Sequence, residues 1–179
     1  MRMRALKISA FLIFLLLGIF FLVGFLNPQL NYQVSIKIDR PLNYTFSLFN
    51  NNERITEWLP DVKEITPIQE TPDKVGSRYK MVIVNEEEEM IIEETLLQYK
   101  KNQLVELEFS AGWMHKINRF EFSKTNGGTM IIASHTIEGQ NPVACSLFAL
   151  FKSTFQDIDG ETLNKFKKFA EKQPLPEND

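Results

Sequence analysis

The chain has 179 residues, 44% of them hydrophobic, enough for one folded domain with an appendage. Beyond residue 26 there are 17 basic and 23 acidic side chains, a net charge of −6. That sign argues against a nucleic-acid binder and against a domain held to anionic lipid by charge.

Ile8 to Leu26 is a run of 19 residues without a charge. At 1.5 Å per residue it reaches about 28 Å, the thickness of a hydrocarbon core. We read residues 1–7 as a basic tail and 8–26 as a retained single-pass anchor. A cleaved signal peptide is the rival reading, but its apolar region is usually shorter and ends at a small-x-small site, whereas this one ends Val23-Gly24-Phe25-Leu26. Arg2, Arg4 and Lys7 precede the span and no basic residue follows until Lys37, so the positive-inside rule predicts a cytoplasmic N-terminus and an extracytoplasmic domain.

Residues 27–31 read as a linker, 32–173 as the domain and 174–179 as a tail. Tyr32, Val34, Ile36 and Ile38 alternate with polar residues, the pattern of a half-buried strand. Leu42, Phe46 and Phe49 then predict a short helix ending at Asn50-Asn51-Asn52, and Ile55, Trp58 and Leu59 a second one, stopped by Pro60. Six strand candidates follow: Val62–Glu70, Gly76–Val84, Met90–Tyr99, Leu104–Phe109, Met114–Ser123 and Thr129–Glu138. Their separators are short and rich in turn formers or charge, so successive strands must be antiparallel neighbours.

Asn141 to Gln173 reads as one long helix. Asn141 suits the cap and Pro142 the first turn. Leu147, Phe151, Phe155, Ile158, Phe166 and Phe169 form its apolar stripe, and Gly160 predicts a kink within Asp157 to Gly160. The sum is an α+β domain: a seven-stranded antiparallel sheet, two short helices between its first and second strands, and a C-terminal helix around which the twisted sheet curls.

Four short motifs occur in order. They are Ile36-Lys37-Ile38-Asp39-Arg40-Pro41 followed by Phe46, then Trp58-Leu59-Pro60-Asp61-Val62, Val75-Gly76-Ser77-Arg78-Tyr79 and Gly127-Gly128-Thr129. With them, residues 32–172 resemble the START-like, helix-grip superfamily, also called SRPBCC, which includes the polyketide cyclase/dehydrase group. The resemblance implies a curved sheet gripping the C-terminal helix, with a cavity between them for a lipid, polyketide, sterol, quinone or similar apolar molecule. It supplies no shared catalytic motif, and it implies a core role for Trp58.

Within the predicted Met90–Tyr99 strand, Glu93 and Glu94 fall on opposite faces. The inward one either pairs with Arg78 or Arg119 or stays unpaired and acts on protons. His115 and His135 both lie in strands, and His135 shares a face with Ile131, Ala133 and Ile137. Glu93, Glu94 and His135 are therefore the candidate acid/base groups, and Trp113, Phe120, Phe122, Met130, His135, Phe151 and Phe155 the candidate ligand contacts. Glu86–Glu89 reads as a solvated hairpin tip and not as a calcium loop. Cys145 is the one cysteine and reads as a small buried residue, so neither a disulfide nor a thiolate zinc site is expected. Neither a metal nor a cofactor is expected. Asn43-Tyr44-Thr45 matches the glycosylation pattern, relevant only to a secreted eukaryotic chain.

The leading expectation is a membrane-anchored domain that binds or transfers a small hydrophobic molecule. The rivals are a cyclase/dehydratase-type enzyme using the cavity acid/base groups, and an interaction or stress-response module without a ligand.

Overall fold

A computed structural model describes residues 2–85 and 88–175. Helix α1, Arg2–Leu26, is followed by strand β1, Gln29–Ile38, helix α2, Leu42–Phe49, and a 3-10 turn, Asn52–Glu57. Strands β2 (Val62–Gln69), β3 (Arg78–Asn85), β4 (Glu88–Lys100), β5 (Leu104–Ala111), β6 (Met114–Thr125) and β7 (Gly128–Gly139) come next, and helices α3 (Pro142–Leu150) and α4 (Lys152–Lys172) close the chain. Pairing begins at Gln29, inside the segment read as a linker, because Leu30 is buried against β7. Only Asn27 and Pro28 separate α1 from the sheet.

The seven strands form one sheet in the order β1-β7-β6-β5-β4-β3-β2. Every neighbouring pair is antiparallel. The register brings Gln29, Gly139, Met114, Ala111 and Glu88 to the end of the sheet nearest α1, and Ile38, Gly128, Lys100, Arg78 and Gln69 to the far end. At that far end Gly127 has φ +82°, and a Cβ on Gly128 would lie 2.2 Å from the Ile38 carbonyl oxygen. Both glycines of this hairpin are thus required by the backbone.

Asn141 caps α3 as expected, its Oδ1 accepting from the Ala144 N–H at 2.9 Å. The long helix breaks elsewhere than expected. It divides at Phe151 (φ −101°, ψ 22°), while Gly160 lies inside α4 with nothing within 4 Å of the position a Cβ would take. The cause is a change of partner: α3 packs on α1, and α4 packs along β1. The break resets the helical phase, so one stripe cannot run through both segments. Leu147, Phe151 and Ile158 are 40%, 54% and 55% exposed, and the large buried side chains are Phe148, Leu163, Phe166 and Phe169.

The main core lies between the sheet and α4, with α2 and the 3-10 turn closing one side. Phe166 is its centre, with ring centroids 5.1 Å from Phe49 and 5.0 Å from Trp58. Trp58 belongs to this core as the resemblance implied.

α1 contains a stretch, Leu6–Leu26, long and apolar enough to cross a membrane. Nearly all of it stands clear of the folded domain.

Candidate functional site

A cavity of about 510 Å³ lies between the concave face of the sheet, the 3-10 turn and α4. That volume falls in the range of small-molecule sites. Alternation fixes which strand residues face it. Tyr79 and Met81 come from β3, Glu94 and Leu96 from β4, Val105, Leu107 and Phe109 from β5, and Asn118 and Phe120 from β6. Phe49, Ile55, Trp58, Leu59, Thr162 and Leu163 close it from the helical side. The exposed members of the lining, Asn52, Glu70, Pro72 and Lys74, mark its mouth at the β2–β3 loop.

Hydrogen bonds hold that loop in place. Lys74 at φ +65° and Gly76 at φ +84° turn the chain, and the Gly76 N–H donates to the Leu96 carbonyl at 2.7 Å. The Ser77 hydroxyl accepts from the Thr71 N–H at 3.0 Å, which cross-ties the loop. Lys74 Nζ then lies 4.6 Å from the centre of the Tyr99 ring, over the entrance.

Glu94 is the polar feature of the interior. It is 7% exposed, and its neighbours across the strands are Tyr79 and Phe109. Among the described residues it has no side-chain hydrogen bond or ion pair, and burial raises its pKa to about 7. Glu93, the other candidate carboxylate, points away from the cavity and pairs with Arg78 on the outer face. The expected ion pair therefore forms, but on the carboxylate that faces out.

A second polar group lies beyond the cavity wall. Tyr32, His135 and Asn118 stand in one row across β1, β7 and β6. His135 stacks on Tyr32 with centroids 5.0 Å apart, and its Nδ1 lies 2.7 Å from Asn118 Oδ1. Tyr32 donates its hydroxyl to Asp159 of α4, and Lys116 Nζ donates to both oxygens of the same carboxylate at 2.8 and 2.7 Å. Burial is the main cause of each shift here: it raises the Tyr32 hydroxyl, with Asp159 adding to the rise, and lowers His135 to about 4. This network clamps α4 to the sheet. His135 Nε2 is buried without a hydrogen-bond partner among the described residues.

Of the expected ligand contacts, Phe120 lines the cavity and His135 touches it only through Asn118. Phe122 is in the solid core against Phe46 and Phe49. Met130 is on the outer face of β7, because inward positions there are Thr129, Ile131, Ala133, His135 and Ile137. Trp113 and Phe155 pack on Phe148 near α1, and Phe151 is exposed at the helix break. His115 is on the outer face and hydrogen-bonds Glu108. No group of three metal-ligating side chains occurs among the described residues. Glu86 and Glu87 lie outside the described residues; Glu89 pairs with Lys63 at 2.6 Å. Asn43-Tyr44-Thr45 lies in α2, with Thr45 fully buried.

Sequence reasoning did not find Asn118, Tyr32 or Asp159. Asn118 was findable: it is the polar member of an inward set that continues to Phe120 and Phe122. Asp159 was hidden because it falls in the Asp157 to Gly160 segment read as a kink.

No family model matches the sequence, and no curated protein matches it. Solved structures do match in shape. Ara h 8.0201 superposes with a TM-score of 0.64 at 12% identity, covering 79% of this chain and 97% of that one. The di-domain ARO/CYC StfQ from the steffimycin biosynthetic pathway gives 0.67 at 10% identity, covering 81% of this chain and 51% of that one. This chain has the helix-grip fold. TTHA0849 from Thermus thermophilus superposes on it as well, with a TM-score of 0.57 at 15% identity, covering 79% of this chain and 94% of that one. At these identities the helix-grip likeness is one of fold, and the chain spans about half of the di-domain protein.

Proposed function

We propose that this chain is a membrane-anchored helix-grip domain that binds or transfers a small hydrophobic molecule carrying one polar group. The observation behind this reading is the cavity of about 510 Å³ whose apolar walls hold a buried, unpaired Glu94. Apolar ligand surface removed from water contributes about 25 cal/mol per Å². A single hydroxyl, carbonyl or amine on the ligand would supply the hydrogen-bond partner that Glu94 lacks, and this sets its orientation. α1 serves as the anchor, with Arg2, Arg4 and Lys7 on the cytoplasmic side. The mouth is then at the end of the sheet away from the bilayer, so ligand exchange occurs on the aqueous side of the domain.

The test is native mass spectrometry of the full chain released gently from membranes, coupled to organic extraction. The expected result is a reproducible co-purifying hydrophobic molecule, displaced when Leu107→Trp fills the cavity. A chain that is empty, and that binds no member of a panel of lipids, quinones and polyketides, would defeat the reading.

A second reading, a cyclase/dehydratase-type enzyme, is favoured by one feature. Glu94 has a pKa near 7 and faces the cavity, so it can both give and take a proton at neutral pH. His135 would then act through Asn118, without touching substrate. Substrate turnover that vanishes in Glu94→Gln while binding persists would move the assignment to this enzyme.

A further inference from the structure

α3 has no polar side. Ala144, Cys145 and Phe148 are buried, with Ala144 and Phe148 in the cluster that Leu30, Tyr32 and Ile137 complete. Pro142 and Ser146 face α1. The third face carries Val143, Leu147, Leu150 and Phe151, at spacings of four, three and one, and all four remain large exposed hydrophobics with α1 already in place. No charged residue occurs from Gly139 to Phe151. A helix that is apolar all round is found inside protein or inside lipid.

The contact with α1 says which. Ser146 Oγ donates to the Phe20 carbonyl at 2.7 Å, and a Cβ on Gly24 would lie 2.3 Å from that hydroxyl oxygen and 2.5 Å from the Pro142 carbonyl oxygen. The two helices touch backbone to backbone, antiparallel, over the last turns of α1. Phe20 is six residues before the end of α1, so Ser146 sits about 9 Å from that end. Because α3 runs alongside α1, a position level with Phe20 lies within the hydrocarbon that α1 crosses. Phe25 and Leu26, at the end of α1 that α3 packs on, are exposed apolar side chains as well. Trp113, half exposed between β5 and β6 and packed on Phe148, stands at the same end of the sheet, where an interfacial tryptophan belongs.

We propose that α3 is a second membrane element, sunk into the bilayer beside the outer end of α1 with Val143, Leu147, Leu150 and Phe151 in contact with acyl chains. This rests on α1 being the membrane anchor. The domain is then held rigidly at the surface by two helices and cannot swing on a two-residue tether. The helix that grips the cavity, α4, begins directly where the embedded segment ends.

The experiment uses the full chain with Cys145→Ala, carrying one new cysteine at Leu147, Leu150 or, as control, Glu161 on the exposed face of α4. Each is labelled with an environment-sensitive fluorophore and reconstituted in phosphatidylcholine vesicles with or without brominated acyl chains. The expected result is quenching of about twofold or more by brominated lipid at both α3 positions and none at Glu161. Labels at Leu147 and Leu150 that emit as in water, on a chain that resists alkaline extraction, would overturn the embedded α3 and leave the anchor standing. Labels that report a dry environment but no quenching would also overturn it, by showing that a second copy or another protein covers the face. Release of the chain by alkaline extraction would remove both the anchor and this inference.

Discussion

Asn118 faces the cavity on one side and on the other accepts a hydrogen bond from His135 Nδ1 at 2.7 Å. The bond fixes the tautomer with Nε2 unprotonated, and burial holds the ring neutral with a pKa of about 4. Asn118→Asp places a carboxylate at the same spot. The His135 pKa is then expected to rise by about 1 to 3 units, since an opposite charge at hydrogen-bond distance favours the imidazolium. A carbon-detected NMR titration of the ring checks this; a pKa that stays near 4 would show that the two side chains do not meet.

Two buried groups with opposite shifts shape the pH dependence of stability. His135 falls from 6.5 to about 4, so between those values the unfolded chain binds the extra proton. Its contribution is complete above pH 6.5 and is lost as pH falls towards 4. Glu94 rises from 4.5 to about 7, so there the folded chain holds the proton, and stability declines as pH climbs from 4.5 through 7. The two slopes oppose one another between pH 4.5 and 6.5. Glu94→Gln is expected to unmask the histidine: relative to the parent, its stability rises by up to about 3 kcal/mol from pH 4.5 to 8. Denaturant titrations at four pH values measure this, and a constant offset between the two proteins would disprove it.

Much of the architecture was legible because alternation and turn chemistry act locally. Ile131, Ala133, His135 and Ile137 had to share a face, and Asn141-Pro142 had to start a helix. The inward direction of Glu94 was half legible: period two separates it from Glu93, but only the register with Tyr79 and Phe109 says which one enters the cavity. The break at Phe151 was not legible, since it arises from the contact of α3 with α1 and from no local signal. That one tertiary fact left Phe151 at the surface. It also explains why Trp113, Phe151 and Phe155 gather near α1 and not in the cavity.

The clamp between α4 and the sheet depends on a largely buried charge pair. Lys116 and Asp159 are 14% and 13% exposed, and Tyr32 donates to the same carboxylate. Lys116→Met leaves Asp159 buried without a cation, which costs about 3–5 kcal/mol. Adding Asp159→Leu removes the stranded charge, and most of the loss is expected to return. Melting of the single and double variants in detergent gives the comparison: a double variant no more stable than the single one would assign the clamp to the ion pair itself.

Phe166 and Ile158 test where the gripping helix turns its apolar face. Both fit the apolar stripe read from spacing, yet Phe166 is 0% exposed and Ile158 is 55% exposed. Phe166→Ala removes a ring packed against Phe49, Trp58 and Phe169 and opens a void next to the cavity. Its expected cost is about 3–5 kcal/mol. Ile158→Ala leaves the core untouched, and its expected effect is within about 0.5 kcal/mol. A domain of this size loses about 2–4 °C in Tm per kcal/mol, so the two melting curves should separate by at least about 5 °C. Equal losses at the two positions would mean that α4 turns both side chains into the core.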